Sequence, residues 1–492
     1  MGDTSRSFRL VVNKAAQPLP IAGVYLITDQ NENLVERVKM ALRGGIAVLQ
    51  YRAKGKLPED CLAEAGELKQ LCSDFGVAFI INDDISLARE LDADGVHLGQ
   101  EDGSVSSARE LLGPGKIIGK STHDLHEALL AEQEGADYIG FGAMYPTGSK
   151  AVTHIPGTSG LSEIRDKVKL PVVAIGGITI GNACRVIDAG ADAVAVISSV
   201  LSNPRPDMAA CGLKLLFNRQ RPFPRGSVLT IAGSDSGGGA GIQADIKTIT
   251  LLGSYACSAL TALTAQNTRG VTSIHGLPPS FVIDQLDTVL ADIPVDVIKT
   301  GMLHTATIIS ALAERLGEHS PLIPMVIDPV MIAKGGAALM DRDAMNIFVE
   351  QLLPQACLLT PNIPEAEKLL GMQIRTEAEM EQAARGLYAL GAANVLVKGG
   401  HFTGPFSTDI LFDGSECHHF PTERIFTSNT HGTGCSYASA IATFLAQGEP
   451  LVSAVEKAKI FITTAIRLAR PLGKGHSPIN HFLAAQEIPA QN

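Results

Sequence analysis

Tryptophan is absent from this 492-residue chain, and aromatic residues make up only 5% of it. The eight cysteines stand singly and never form a CxxC pair, so a structural zinc site is not expected. Single cysteines of this kind are typical of buried thiols in a reducing compartment. The sequence also lacks a charge-free apolar run of about 18 residues and a basic-then-apolar start, so we expect neither a membrane span nor a signal peptide.

An excess of positive charge is missing as well, because the formal net charge is −11. This argues against a general nucleic-acid surface, although local Lys and Arg residues can still gather phosphorylated small molecules. Glycine is abundant, with 49 residues, and apolar side chains make up 45% of the chain, which is typical of globular α/β proteins. The length predicts two domains or more. We expect a soluble cytoplasmic protein, and the sequence leaves open whether it forms a homo-oligomer.

A strand-then-helix pattern repeats through residues 21–218, after a mixed N-terminal arm at residues 1–20. Eight short β-branched runs alternate with stretches whose apolar positions have helical spacing. The runs are Val24–Thr28, Val48–Arg52, Phe79–Asn82, Val96–Gly99, Ile117–Ser121, Tyr138–Gly142, Val172–Gly176 and Ala193–Ser198. Eight evenly spaced units predict a (β/α)8 TIM barrel, with an open doubly wound sheet as the alternative.

Polar residues follow the predicted strands, at the rim where a barrel carries its active site. Asp83 and Asp102 are two separated carboxylates, which suit a Mg²⁺ ion that also takes substrate phosphates as ligands. Arg52 and Lys54 supply cations for a diphosphate. A glycine turn after strand seven and serines after strand eight are typical of a barrel phosphate site. A helix cap or a solvated charge would explain each residue alone, but their position on one rim favours a diphosphate–Mg²⁺ site and a second phosphate site.

The stretches VLQYRAKGK, FIINDD, GVHLGQED, YPTGSK and VVAIGGI, in this order, resemble thiamine-phosphate synthase over residues 21–200. One departure is Ala53, which stands where members often have an acidic residue. The resemblance implies Mg²⁺ at Asp83 and Asp102, with Ser121 against the reacting groups. The implied contacts of hydroxymethylpyrimidine diphosphate are Gln50, Arg52, Lys54 and Asn82, and those of the thiazole phosphate are Thr147, Lys150, Gly177, Ile197 and Ser198. A thiazole-isomerising barrel is the nearest rival, but it would not need a diphosphate site.

The segment RQRPFPRG, residues 219–226, predicts a short and stiff connector because it combines two prolines, three arginines and a glycine. We place a second domain at residues 227–492. It opens with an apolar strand, Ser227–Ala232, and a glycine-rich turn that lacks the ending of a Walker P-loop. Further strand–loop–helix units predict a three-layer α/β fold with a mainly parallel sheet. The predicted strands are Val297–Met302, Met325–Val330, Cys357–Asn362 and Asn394–Gly400.

A second glycine-rich turn, with Gly432, Gly434 and Cys435, stands at the start of a predicted long helix. Free backbone N–H groups there would form an anion hole for a transferred phosphoryl group, although an ordinary helix start is the alternative. Acidic groups after two strands, including Asp328 and Glu365, suit a Mg²⁺–ATP site. Helix capping by Asn362 and a surface position for Glu365 are the ordinary explanations.

The stretches IAGSDSGGGAGIQADIKT, TALTAQNT, KTGML, DPVM, LTPN, VKGGH and GTGCS together resemble the hydroxymethylpyrimidine/phosphomethylpyrimidine kinases of the ribokinase-like fold, over nearly all of residues 227–482. Cys435 stands where most ribokinase relatives carry Asp, which favours the pyrimidine branch. The resemblance implies that Cys435 acts as catalytic base or anion-hole member, and a thiol at a helix N-terminus can have a lowered pKa. The implied pyrimidine contacts are Asp245, Gln266 and Met302. The positions of the residues themselves predict an ATP site at Asp328, Asn362, Glu365, Lys398, Gly432 and Gly434.

The two resemblances together imply a bifunctional enzyme of thiamine biosynthesis with Mg²⁺ as cofactor, ATP as co-substrate and small molecules as its partners. Two alternatives stay open at this point. One is a non-catalytic scaffold that binds pyrimidine and thiazole phosphates. The other is a pyridoxal-type kinase fused to a thiazole-isomerising barrel.

Overall fold

The computed structural model describes residues 21–30, 33–148, 154–318, 322–331, 340 and 342–488. The first half forms a closed barrel of eight parallel strands in the order of the chain. The strands are β1 (Gly23–Ile27), β2 (Val48–Tyr51), β3 (Ala78–Asn82), β4 (Gly95–Leu98), β5 (Ile117–Thr122), β6 (Tyr138–Gly142), β7 (Val172–Ile175) and β8 (Ala193–Val196). The predicted eightfold barrel is thus confirmed, and the open-sheet alternative is excluded.

Helices follow the barrel strands, as the apolar spacing predicted. They are α1 (Leu34–Arg43), α2 (Pro58–Phe75), α3 (Ile85–Glu90), α4 (Val105–Leu112), α5 (Leu125–Gln133), α6 (Gly157–Arg165), α7 (Ala183–Asp188), α8 (Ser198–Leu201) and α9 (Pro206–Leu216). Their caps follow from sequence. Asp84, Ser104 and Asp124 each accept a hydrogen bond from a backbone N–H of the first turn of α3, α4 and α5, which satisfies a donor that has no partner within the helix. These caps fix the loops that carry the rim residues.

The second half contains a nine-stranded sheet in its described part, with the strand order β11-β10-β9-β12-β13-β14-β15-β16-β17. The strands are β9 (Ser227–Asp235), β10 (Tyr255–Asn267), β11 (Gly270–Gly276), β12 (Val297–Thr300), β13 (Met325–Ile327), β14 (Ala356–Leu359), β15 (Val395–Val397), β16 (Phe406–Phe412) and β17 (Cys417–Glu423). The central strands pair in parallel, as predicted, whereas β11, β16 and β17 pair antiparallel at the two edges.

Helices cover both faces of this sheet and complete the predicted three layers. They are α10 (Gly241–Leu251), α11 (Pro279–Asp292), α12 (Ala306–Gly317), α13 (Arg342–Ile347), α14 (Ile363–Leu370), α15 (Glu377–Ala389), α16 (Thr433–Ala446), α17 (Leu451–Arg467) and α18 (His481–Glu487). Helices α11 to α15 pack into one apolar core, while α10 and α16 to α18 pack into the other. None of the helices in the described part of the chain has the length and hydropathy to cross a bilayer.

Candidate active sites

The two predicted metal carboxylates of the barrel lie together. Asp83 follows β3 with a φ of 64°, and its backbone N–H donates to the His97 carbonyl at 2.8 Å. The Asp102 carboxylate accepts from the Gly99 N–H at 3.0 Å. Burial raises the pKa of Asp83, and so does its contact with Asp102, while Asn82 and Lys54 act in the opposite direction. A divalent cation would relieve the repulsion between the two carboxylates, so these residues fit Mg²⁺.

A chain of hydrogen bonds crosses the barrel interior and joins two predicted residues, Gln50 and Ser121. The buried Gln50 amide donates to the Tyr25 hydroxyl at 3.0 Å, and the Tyr25 and Tyr138 hydroxyls lie 2.8 Å apart. The Tyr138 hydroxyl bonds to Nδ1 of His97, and Nε2 of His97 bonds to the Ser121 hydroxyl, both at 2.9 Å.

Sequence reasoning missed the three middle members of this chain of bonds. A signal existed, because each is a polar side chain within an otherwise apolar barrel strand: Tyr25 in GVYLI, His97 in GVHL and Tyr138 in YIGFG. Burial raises the pKa of both tyrosines well above its ordinary value. They therefore stay neutral and orient their neighbours through hydrogen bonds.

The predicted diphosphate cations stand on a loop that is held from β1. The Arg52 backbone N–H donates to the Thr28 hydroxyl at 2.8 Å, and that hydroxyl bonds in turn to the Arg52 carbonyl at 3.2 Å. The side-chain amide of Gln30 donates to the Lys54 carbonyl. The Arg52 side chain is half-buried and Lys54 is exposed. The loop backbone is thus fixed while its cations remain accessible to an anion.

The residues predicted to receive the thiazole phosphate fall after β6, β7 and β8. Thr147 follows β6, and Gly177 follows β7 with a φ of 64°, a conformation that favours glycine. Ile197 and Ser198 come directly after β8, and Ser198 is the first residue of α8. Lys150 lies outside the described residues. Each of the four described residues follows a strand end, as the barrel prediction requires.

The second domain contains a cavity of about 700 Å³. Eight predicted residues line it: Gln266, Met302, Asp328, Asn362, Glu365, Lys398, Gly434 and Cys435. Gly432 and Asp245 are not part of its described lining. Gly432 precedes α16 with a φ of 80°, and a Cβ there would collide with the Gly239 carbonyl oxygen, so only glycine fits. Most of the predicted kinase site is therefore brought into one enclosure.

Asp245 has a different environment from the one expected for a pyrimidine contact. Its fully buried carboxylate accepts from Lys299 Nζ at 2.9 Å on both oxygens. The hydroxyls of Thr230 and Ser439 donate to it at 2.6 and 2.7 Å. Lys299, which sequence reasoning missed, is itself fully buried. The network ties β9, α10, β12 and α16 together beside Cys435, and the direct contact of Asp245 with the pyrimidine stays a prediction.

Cys435 lies in the first turn of α16 and is partly accessible from the cavity. Burial raises the pKa of its thiol to about 11, although the nearby charge of Lys299 lowers it. This direction is opposite to the lowered pKa that a helix N-terminus can give a thiol, so burial favours the neutral S–H.

Paired charges stand beside the same helix start. Lys398 donates to an Asp328 oxygen at 2.7 Å, and a Cβ placed on Gly434 would lie 3.6 Å from each of these two side chains. Glu365 forms a capping box with Asn362 at the start of α14. Burial raises the pKa of Glu365 to about 7, against the opposing charge of Lys398. The capping role that sequence analysis offered for Asn362 is present, but Glu365 is buried, so a surface position, the ordinary explanation offered for it, is excluded.

The cavity wall includes a pair that sequence reasoning did not name. His431 Nε2 lies 3.0 Å from an Asp235 carboxylate oxygen and 3.4 Å from the Gln266 amide nitrogen. Asp235 also accepts from the backbone N–H groups of residues 237, 239 and 240. Burial opposes ionisation of Asp235, but these bonds hold its pKa below the ordinary value. The signal lay in the glycine-rich turns themselves, GSDSGGGAG and NTHGTGC, which meet through these two side chains.

Comparison with known proteins assigns both halves. The phosphomethylpyrimidine kinase model matches residues 235–480, half of the chain, and the thiamine monophosphate synthase model matches residues 24–200. The thiamine biosynthesis bifunctional protein ThiED of Geobacter sulfurreducens is 58% identical over 99% of both chains. The thiamine biosynthesis multifunctional protein ThiED of Corynebacterium efficiens is 35% identical over 95% of this chain and 65% of its own.

Among solved structures, an ADP complex of Bacillus subtilis pyridoxal kinase is 38% identical, with a TM-score of 0.50, and the match covers 54% of this chain and 99% of that one. This agrees with the ribokinase-like architecture of the second domain. Because the two models match consecutive halves and the Geobacter protein aligns along nearly the whole length, the chain belongs to the bifunctional thiamine biosynthesis enzymes, which join a thiamine-phosphate synthase to a hydroxymethylpyrimidine/phosphomethylpyrimidine kinase.

Proposed function

We propose that the kinase domain phosphorylates 4-amino-5-hydroxymethyl-2-methylpyrimidine and then its monophosphate, with ATP as the phosphoryl donor. The barrel then joins the resulting diphosphate to thiazole phosphate and yields thiamine phosphate and pyrophosphate. One observation carries this proposal: the 58% identity to a bifunctional relative extends over 99% of both chains. Both steps therefore belong to one polypeptide, and the diphosphate made by the second domain is the substrate of the first.

In the barrel reaction the bond between the pyrimidine methylene carbon and the diphosphate oxygen breaks, and the thiazole nitrogen forms the new bond to that carbon. Arg52 and Lys54 are the proposed partners of the departing diphosphate, because both stand on the loop after β2. Asp83 and Asp102 would hold Mg²⁺, which supplies charge stabilisation to the leaving group. The protein acts by position and electrostatics, since no strong base is required.

The remaining barrel residues divide between the two substrates. Gln50 and Asn82 are proposed to orient the pyrimidine, and Ser121 to lie against the reacting atoms. Because Gln50 and Ser121 are joined through Tyr25, Tyr138 and His97, their positions depend on one another. The proposed thiazole-phosphate residues are Thr147, Lys150, Gly177, Ile197 and Ser198.

In the kinase domain, Gln266, Met302 and Asp245 are proposed to contact the pyrimidine. Asp245 also holds Lys299 and Ser439 in place through its buried hydrogen bonds. Lys398, Asp328, Asn362 and Glu365 are the proposed ATP-site residues, and Mg²⁺ held there would neutralise charge on the phosphates. The backbone of residues 432–435 would receive the transferred group. Because burial raises the pKa of Cys435 to about 11, we propose that its thiol acts as a neutral hydrogen-bonding group in the anion hole, and that the substrate's hydroxyl proton passes to an oxygen of the transferred phosphoryl group.

A second substrate for the kinase has one specific observation in its favour. The Bacillus subtilis structure that the domain resembles, at 38% identity, is a pyridoxal kinase. We propose pyridoxal as a slower alternative substrate. Parallel assays with pyridoxal and with the pyrimidine at equal concentrations test this, and a faster turnover of pyridoxal would reverse the assignment.

Two variants test whether the activities are separable. C435A should lower pyrimidine phosphorylation by roughly 10²- to 10³-fold, as expected for loss of an anion-hole donor, and leave thiamine phosphate synthesis from supplied diphosphate unchanged. D83A should lower synthesis by about 100-fold, because a metal supplies several kcal/mol of charge stabilisation, and leave the kinase unchanged. Loss of both activities in either folded variant would contradict the proposed division.

A further inference from the structure

Lys120 is a buried lysine on β5, with 7% of its surface exposed. Its ammonium nitrogen donates to the Gly99 carbonyl at 2.8 Å and to the Gly103 carbonyl at 3.0 Å. In the register of the barrel Lys120 pairs with Leu98, the last residue of β4, which explains why its side chain reaches the loop that follows. Gly99 is the first residue of that loop, and Gly103 is followed only by Ser104, the N-cap of α4, so one cation joins the two ends of the loop.

The loop between these carbonyls carries Asp102. The Gly99 N–H donates to the Asp102 carboxylate at 3.0 Å, and the Asp102 N–H donates to the Gly99 carbonyl at 3.4 Å. Gly99 is therefore bound through its carbonyl to Lys120 and through its amide to the carboxylate. A shift of the Gly99 peptide would move both bonds together, and Asp102 would turn away from Asp83.

A buried lysine that binds only two carbonyl groups carries an unfavourable desolvation free energy. Within the described part of the chain Lys120 has no carboxylate within ion-pair distance. Desolvation of an ammonium costs free energy that neutral acceptors offset only in part. An apolar residue on β5 would avoid that cost. The presence of lysine therefore indicates a role in holding the loop that carries Asp102 in one conformation.

We propose that Lys120 is a positioning residue for the metal carboxylate Asp102, acting through the Gly99 peptide. This inference rests on the proposed Mg²⁺ site. Lys120 contacts neither substrate nor metal in this proposal. Its effect falls on metal affinity, as is usual for groups that orient a metal ligand, whose loss typically costs about 10- to 100-fold.

The test is a Mn²⁺ titration followed by electron paramagnetic resonance, with pyrophosphate present and no nucleotide. In K120M we expect Mn²⁺ affinity to fall about 10-fold or more, and the Mg²⁺ concentration for half-maximal synthase activity to rise by the same factor. The KM for thiazole phosphate and the kinase activity should not change. K120R, which can still donate to both carbonyls, should restore most of the metal affinity.

K69M is the matched control, because Lys69 also donates to a loop carbonyl of the barrel, that of Leu91, which precedes β4. It should leave Mn²⁺ binding unchanged.

D102A tests the metal site separately from the role of Lys120. Native Mn²⁺ affinity in D102A would show that Asp102 is not a metal ligand and would contradict the proposed site. Weakened binding in D102A together with native binding in K120M would overturn the role of Lys120 alone. If the barrel of K120M does not fold, as judged by loss of its cooperative unfolding transition in urea, K120R with native structure but weakened Mn²⁺ binding would equally contradict the proposal.

Discussion

At the scale of single residues, the thiol of Cys435 gives the kinase mechanism its sharpest constraint. The charge of Lys299 favours a thiolate, but burial, together with the carboxylates of Asp245 and Asp328, raises the thiol pKa to about 11. A thiol that acts as a base already ionised before the substrate binds would need a pKa below its ordinary value. The ligand-free enzyme should therefore hold a neutral thiol at the floor of its proposed anion hole.

Alkylation measures this directly, because only the thiolate reacts. With a pKa of about 11, the thiolate fraction at pH 8 is on the order of one part in a thousand. We expect iodoacetamide to modify Cys435 slowly below pH 9 and progressively faster towards pH 11, as followed by peptide mass spectrometry. A rate that is already at its plateau at pH 7 would show that the thiol is ionised and would support a preformed base.

Much of the candidate site could be predicted from sequence at this scale. Charged and glycine residues that follow strands can be recognised because strand ends converge in α/β folds, as Asp83 and Gly177 illustrate. Lys299 could not be predicted in the same way, since a lysine within an apolar strand gains its partner, Asp245, only through packing. The pKa of Glu365 likewise depends on burial that no local pattern encodes.

At the scale of elements, α16 is held to the sheet by a buried ion pair as well as by apolar packing. Ser439, one turn after Cys435, donates to the Asp245 carboxylate that also binds Lys299. Removal of one partner of such a pair leaves an uncompensated buried charge. The network is therefore expected to couple the stability of the kinase domain to the position of the α16 N-terminus.

K299M should destabilise the kinase domain by about 3–5 kcal/mol, while S439A should cost only about 1 kcal/mol because a single hydrogen bond is lost. Urea inactivation can be followed for the two activities of the same protein. The kinase midpoint should fall in K299M and the synthase midpoint should stay, with D245N/K299M losing less than the sum of the single changes. Equal midpoints for native and K299M kinase would show that the pair contributes nothing.

Strands β10, β11, β16 and β17 are the elements that sequence reasoning did not find. The barrel strands and the parallel strands β9 and β12 to β15 are largely apolar runs and were predicted within a few residues. Strands β16 and β17 mix polar residues with apolar ones, as in FSTDILF and CHHFPTE. Their pairing with each other is a tertiary event, so neither carries a strong signal of its own.

At the scale of the whole molecule, the connector bears on how the intermediate travels. Asn218 is buried and donates to Asp296 and to the Ala446 carbonyl at 3.0 and 2.8 Å, whereas residues 220–224 are exposed. Phe223 is the one large apolar side chain of that exposed stretch, and Arg225 lies over its ring at 4.5 Å. A sealed passage would want more apolar surface, so we expect the pyrimidine diphosphate to be released to solvent.

The central claim, two activities at separate sites of one chain, is tested most directly by complementation. Each protein is given hydroxymethylpyrimidine, ATP, Mg²⁺ and thiazole phosphate, and thiamine phosphate is measured. The native chain should form it, C435A and D83A should each form almost none, and an equimolar mixture of the two variants should recover a large part of the native rate through the released diphosphate. If each variant retains its other activity but the mixture is as inactive as its components, the result would contradict release of the diphosphate to solvent. A single variant with the full native rate would contradict the two-site account itself.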